Sequence, residues 1–218
     1  MAHEFKTPLT SIKAATTSLR ANPDQAPATQ AELIEIADEE ADHLQRLIDN
    51  AIEMARLDTA HIAIQPVVSD LCLAVRDEVL SMHVEADGRP VNLLGSELPV
   101  LIAFDRRLMK LAVRQLLDNA FKYSPPGTPV TVRVEQNEDG AAVEVANGGP
   151  GIAAPEQSRI FQRFYRSPSV KHQVPGTGLG LSIAHSIARA HHGGVTVSSG
   201  PGATAFRLTF PRMLKESK

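Results

Sequence analysis

Gln115-Leu116-Leu117-Asp118-Asn119-Ala120-Phe121-Lys122-Tyr123-Ser124 is the stretch that decides the architecture of this chain. It closes a helix predicted over 105–123, and at helical spacing Gln115, Asn119, Lys122 and Tyr123 share one face. The amide oxygens of Asn119 and Gln115 suit a hard cation, since Mg2+ prefers oxygen ligands and keeps several waters. One or two such oxygens plus three phosphates complete its octahedron, and Lys122 adds positive charge beside them. Alone, the same stripe is also the solvated face of a surface helix.

Two glycine-rich segments downstream separate these readings. Asn147-Gly148-Gly149-Pro150-Gly151 follows a predicted strand, and Gly176-Thr177-Gly178-Leu179-Gly180-Leu181 enters a predicted helix. At the second, free backbone N–H groups and the positive helix end can meet phosphates closely. The lysine and order of a Walker-type loop are absent.

Outward from these segments the pattern is α/β. Strands are expected at 91–94, 100–103, 130–136, 141–146, 195–199 and 203–210, with the 130–146 pair joined through Glu138-Asp139-Gly140. Helices are expected at 70–82, 105–123, 155–164 and 179–191, with an irregular polar stretch over 166–177. Ile62, Ile64 and Val67 read as a strand that Pro66 confines to an edge or an end. This is a two-layer plan, helices on one face of a mixed sheet. His191-His192 before Gly193-Gly194 can be a metal pair or a helix-end pair.

Before residue 60 the composition changes. A helix over 1–21 stops at Asn22-Pro23, and a second over 30–58 repeats Leu33, Ile36, Ala37, Leu44, Leu47, Ile48, Ala51, Met54 and Ala55 at i, i+3, i+4, i+7. Two helices cannot hide that stripe. It either pairs with a second copy in a four-helix bundle, giving a homodimer through 1–59, or packs on the remainder of the chain. The expected domains are a hairpin over 1–59 and an α/β domain over 60–218.

The hairpin opens with His3-Glu4-Phe5-Lys6-Thr7-Pro8-Leu9. Glu4 can take the proton from one ring nitrogen of His3 and leave the other nucleophilic. Pro8 gives no hydrogen bond to the Glu4 carbonyl, which leaves slack beside the histidine. Thr7, one turn beyond His3 on the same face, can hold a water for a hydrolytic step.

Together these strings resemble the sensor histidine kinases of two-component systems, over essentially the whole chain. The 3–9 string is similar to their H-box, in which the histidine accepts phosphate, the adjacent acid is the base and the Thr is the phosphatase residue. The later strings resemble the N, G1, F and G2 boxes of the Bergerat ATP-binding fold shared with DNA gyrase, Hsp90 and MutL. They are Asn119 with Lys122 and Tyr123; Asn147 with Gly149 and Gly151; Phe161 with Phe164; and Gly176, Thr177, Gly178, Leu179 and Gly180. The resemblance implies an α+β chain whose hairpin dimerises ahead of an ATP domain. It implies ATP and Mg2+ as cofactors and His3, Glu4 and Thr7 as catalytic residues. It also implies a lid over 166–175, disordered without nucleotide, and a response-regulator receiver domain docking near Ser11, Ala14, Ala15 and Ser18. Phe161 and Phe164 pack on the hairpin or the lid hinge, or are plain core aromatics.

Two positions depart from the family pattern. The G1 box normally opens with an aspartate that accepts from the adenine amino group, and Asn147 stands there. A neutral acceptor forgoes about 1 kcal/mol of charge-assisted bonding, so ATP should bind more weakly with adenine preference kept. A site that binds no nucleotide, in a phosphatase or dimeric binding module, is the alternative. The first N-box position is usually Asn, and Gln115 is one methylene longer.

Composition narrows the partners. At 218 residues with a formal net charge of -3 and no run of five or six like charges, nothing marks a nucleic-acid or anionic-membrane surface. Cys72, alone between Leu71 and Leu73, cannot form an internal disulfide and reads as a packed thiol in the cytoplasm. No apolar stretch reaches bilayer length. Helical sequence begins at once, as expected of part of a longer protein whose upstream segment, by the resemblance, is anchored in the inner membrane.

Overall fold

The computed structural model describes residues 2–58, 64–82, 88–95, 98–170, 174 and 176–211, side chains 2–4, 53, 54 and 56–58 excepted. The chain divides into two compact units, Met1–Arg56 and Leu57–Lys218.

The first unit is a helical hairpin. α1 spans Ala2–Ala21 and continues through Pro8; α2 spans Pro27–Asp58. α2 starts three residues earlier than the apolar stripe suggests, because Pro27 occupies the first helical position, where its missing N–H costs nothing. Gln30 Nε2 donates to the Pro23 carbonyl at 2.8 Å and ties the connection to the helix. Among the described residues of this unit, only Pro8, Ala15 and Leu47 are buried, while Ile34, Ile36, Ile48 and Ile52 stay exposed.

In the second unit the elements run β1 (Val67–Asp70), α3 (Leu71–Ser81), β2 (Val91–Leu94), β3 (Leu101–Phe104), α4 (Arg106–Tyr123), β4 (Val130–Asn137) and β5 (Gly140–Gly149). α5 (Ala154–Gln157), α6 (Gly180–Ala190), β6 (Gly194–Gly200) and β7 (Gly202–Pro211) complete it. The five-stranded sheet has the order β2-β4-β5-β7-β6, parallel only between β2 and β4; β1 and β3 form a separate antiparallel pair.

Period-two alternation sorts the sheet into two faces. Val132, Val143, Val145, Phe206 and Leu208 are buried toward α4 and α6, which supply Met109, Val113, Leu116, Ile183 and Ile187. The opposite face carries Arg207 between Glu135 at 2.7 Å and Glu144 at 3.5 Å. These ions remain partly exposed, so they keep that face soluble and add little stability.

Two aspartates start the helices. Asp70 accepts from Cys72 N, and Asp105 accepts from Leu108 N at 3.1 Å. His191 closes the far end: Nδ1 donates to the Ile187 carbonyl at 2.8 Å and Nε2 accepts the Asp105 N–H at 3.0 Å. Both ring nitrogens are thus spent on backbone, binding the end of α6 to the start of α4. Of the two readings of His191-His192, the helix-end reading holds for His191, and His192 sits in the left-handed conformation just beyond it, at φ 59°.

Three expectations change. The strand near Ile62 begins only at Val67, since Pro66 has no N–H for a ladder; Ile62 itself lies outside the described residues. β5 does not stop at Ala146 but keeps its pairing with β7 as far as Gly149 opposite Gly202, so most of the first glycine segment is strand rather than loop. The helix expected over 155–164 is a single turn, because the Tyr165 hydroxyl and Ser167 Oγ both donate to the Glu156 carboxylate and fold the chain back.

The turn after His192 allows no side chain at Gly193, where an added Cβ would run into the Thr209 carbonyl. Gly193→Ala is expected to destabilise the sheet unit by about 2–3 kcal/mol, the usual scale of overpacking. Chemical denaturation of the full chain checks this through the midpoint of the sheet-unit transition.

Candidate functional site

Three glycines bring distant segments of the second unit to one place. A Cβ on Gly149 would lie 2.7 Å from the Tyr123 carbonyl, so the end of β5 touches the end of α4. A Cβ on Gly180 would lie 2.7 Å from Gln115 Oε1, so α6 begins against the middle of α4. Gly178, at φ +71°, would meet the Tyr165 carbonyl at 2.7 Å, and its own carbonyl accepts from Phe164 N at 2.9 Å. Only glycine accommodates both that φ and that approach. Gly151 is fixed by a different neighbour, the backbone of Gly200.

Within this frame Asn147 is buried, 7% exposed, at the point where β5 runs between Val130 of β4 and Thr204 of β7. Its Nδ2 donates to the Gly148 carbonyl at 2.7 Å, while Oδ1 is buried with no hydrogen-bond partner among the described residues. A buried acceptor left unmade costs about 1–3 kcal/mol, so it marks a place where a donor belongs. Thr204, opposite Asn147 in register, is also buried, and its hydroxyl lies 2.6 Å from Ser199 Oγ. Sequence reading passed over Thr204, because only the strand pairing puts it beside Asn147.

The other expected residues of this unit lie at different depths. Asn119 and Tyr123 are half-buried on α4, and Gln115, one turn before Asn119, is 6% exposed. Lys122 is more exposed and pairs with Asp118 at 2.7 Å. Thr177 is buried and its Oγ1 accepts from Leu179 N at 3.2 Å; a Cβ on Gly176 would meet none of the described residues within 4 Å. α6 starts with no side-chain cap at Leu179, so its first turn keeps N–H groups and a positive end available to an anion. Burial pushes the Tyr123 phenol above its ordinary range, against the pull of the Arg166 guanidinium beside it, so it remains a hydrogen-bond donor at neutral pH. Arg166, which also donates to the Val174 carbonyl, was read in sequence only as the edge of a polar stretch. Of the lid expected over 166–175, residues 171–173 and 175 lie outside the described residues.

The two aromatics of the F segment differ. Phe161 packs its ring 5.7 Å from His185 of α6 and edge-on to Phe206 at 6.4 Å. Phe164 is 44% exposed and left-handed, φ 61°, an unusual conformation for a bulky residue held by the Gly178 bond.

His3, Glu4 and Thr7 belong to α1 in the other unit. Thr7 is exposed; the side chains of His3 and Glu4 lie outside the described residues. In the strip expected to dock a regulator, Ala14 is exposed and Ser11 and Ser18 partly so, but Ala15 is 3% exposed and adds no surface. Among the described residues no helix is long and apolar enough to cross a membrane.

Comparison with known proteins bears on the family and the fold. Residues 1–60 match the His Kinase A phospho-acceptor domain, and residues 104–214 match the histidine kinase-, DNA gyrase B- and HSP90-like ATPase family. The chain is 34% identical over 211 residues to the probable sensor histidine kinase TcrY of Mycobacterium tuberculosis, covering 96% of this chain and 44% of that protein. It is 33% identical over 226 residues to the signal transduction histidine-protein kinase/phosphatase MprB of Mycobacterium avium, covering 96% and 41%. The chain therefore spans under half the length of these relatives. Full-length ShkA in complex with AMPPNP superposes with a TM-score of 0.68 at 26% identity, covering 96% of this chain and 44% of that one. Histidine kinase ThkA, solved with response regulator protein TrrA, shares the fold with a TM-score of 0.75 at 19% identity, covering 99% and 61%.

His185 links the F segment to α6 and makes the unit sensitive to pH. Burial, with a smaller contribution from Arg189, holds its imidazole below the usual range. Well above the ordinary imidazole pKa of about 6.5 the ring is uncharged in folded and unfolded chains alike and the stabilisation is complete. As pH falls further the unfolded chain takes up a proton that the folded one resists, and stability drops. The melting temperature of the sheet unit is expected to fall as pH drops through the ordinary imidazole range, about 6.5, and His185→Gln to flatten that part of the profile in thermal melts.

Proposed function

This chain belongs to the sensor histidine kinase family, and from that premise we propose that it binds Mg-ATP in its second unit and transfers the γ-phosphoryl group to His3. The observation that carries the reading is the buried Oδ1 of Asn147, without a partner among the described residues, in the same glycine-held frame as the uncapped start of α6. An adenine amino group supplies the missing donor to Asn147, and phosphates meet the N–H groups of α6.

The donor set also suits Mg2+. Among the described residues no group of three or more His, Cys, Asp or Glu side chains could hold a metal, so a cation here depends on an amide oxygen and on the nucleotide itself. Asn119 is the amide we assign, with Gln115 the second candidate. Bound there, Mg2+ neutralises phosphate charge.

The protein's own part in transfer is orientation and proton handling. Lys122, released from Asp118, adds charge at the phosphates. Glu4 takes the proton from one ring nitrogen of His3, and the other attacks the γ-phosphorus in line. An N–P bond forms, the bond to the β,γ-bridging oxygen breaks, and ADP leaves with the electron pair. The phosphoryl group then passes to an aspartate of a response-regulator receiver domain docked along α1. The exposed Ile34, Ile36, Ile48 and Ile52 support dimerisation of the hairpin into a four-helix bundle. We place the upstream part of the protein at the inner membrane and the present chain in the cytoplasm.

A second reading, response-regulator phosphatase, is favoured by the exposed Thr7 one turn from His3, where its hydroxyl can hold water against a phosphoaspartate. Both activities fit one chain, since MprB carries both in its name.

Incubation with γ-labelled ATP and Mg2+ is expected to leave acid-labile, base-stable phosphate on His3, reduced to background in His3→Gln. Acid-stable label, or label that survives His3→Gln, refutes the assignment. Asn147→Asp restores a charged acceptor and is expected to tighten ATP about fivefold, while Asn147→Ala weakens it about tenfold, by calorimetric titration.

A further inference from the structure

Gln115 is the one member of the polar face of α4 that faces inward. It is 6% exposed, whereas Asn119, one turn along, is half-buried at the rim. Its Oε1 occupies the space a Cβ on Gly180 would need, 2.7 Å away, and the next side-chain atom, Cδ, lies 3.7 Å from the same point. A metal ligand would turn its oxygen toward the ion. Here the oxygen is turned against the first residue of α6, the helix that begins without a side-chain cap.

We propose that Gln115 is a positioning residue for the polyphosphate, the spacer on which Gly180 rests and which sets the height of the Gly176 to Gly180 loop above α4. The proposal rests on the nucleotide reading given above. Gln in place of Asn is then functional, because one methylene less leaves a gap beneath Gly180 and lets the start of α6 settle toward α4. Gly180 is glycine for the complementary reason, that the carboxamide has taken its side-chain space. The adenine end is independent of this contact: Asn147 and Thr204 sit on β5 and β7, fixed by the sheet ladder.

This independence makes the proposal testable on the full chain by titrating ATP and adenosine in parallel. Gln115→Ala is expected to weaken ATP about tenfold and leave adenosine within about twofold, with the ratio of ATP affinities in the presence and absence of Mg2+ unchanged. Gly180→Ala, which drives a methyl into the carboxamide, is expected to show the same ATP-selective loss. The double variant Gln115→Ala/Gly180→Ala is expected to bind ATP better than Gly180→Ala alone, because the new methyl fills the vacated space. Equal losses of ATP and adenosine make the contact merely structural and overturn the proposal. So does additivity in the double variant, or a loss confined to the Mg2+-dependent part of binding, which returns Gln115 to the metal. If the unmodified chain binds neither ligand, the nucleotide reading itself falls; if it binds both and Gln115→Ala is silent, only the spacer falls.

Discussion

α4 is approached very closely at two points on the side where its polar residues lie. β5 reaches it at Gly149 and α6 reaches it at Gly180, each so close that one added carbon would overlap an oxygen of α4. Those approaches are set from behind by the apolar core, where Leu116 and Leu117 on α4 and Ile183 and Ile187 on α6 are fully buried. Close-packed interiors do not deform continuously, so the depth of that packing fixes how near the helix ends come. His191 clamps the opposite ends of the same two helices through backbone hydrogen bonds. The site is thus the open end of a helix pair that is shut at its other end.

This arrangement explains where the unit carries unfavourable energy. Among the described residues Asn147 Oδ1 is buried without a donor, α6 begins without a side-chain cap, and Phe164 holds a left-handed backbone. Each is a cost that a structure optimised only for stability would remove. All three lie on segments joined by the same glycine contacts, and two of them, the acceptor and the helix end, are unmet in a way that a nucleotide would meet. Co-location is the argument: separately, an orphan amide or a bare helix end is unremarkable.

Much of the fold was legible because it rests on local signals. The strand over 91–94, the helix ending at Tyr123 and the hairpin through Asp139-Gly140 follow from alternation, capping and turn chemistry. Pro66 apart, the errors come from hydrogen bonds to partners outside the local stretch being read. Asn147 to Gly149 looks like a loop until Gly202 and Ala203, more than fifty positions away, supply a ladder partner with no bulk. The turn after α5 looks helical until Glu156 draws back Tyr165 and Ser167. In the site, Asn119 and the glycine loops announced themselves by type and order. Thr204, Arg166 and the inward turn of Gln115 did not, since each depends on a neighbour brought close only by folding.

The amide at position 147 also bears on the empty state. In the family pattern an aspartate stands there, and a carboxylate at the end of β5, buried as Asn147 is, would be a charge without a counterion when no nucleotide is bound. Burying an unpaired ion costs several kcal/mol more than burying an unpaired amide oxygen. Asn147 can satisfy half of its own side chain by donating to the Gly148 carbonyl, an option closed to a carboxylate. The substitution therefore forgoes one charge-assisted bond to the nucleotide, and spares the folded unit a buried carboxylate whether nucleotide is bound or not. On this balance the nucleotide contributes less to the stability of the folded unit than it would with aspartate, and the glycine frame depends more on its own core packing.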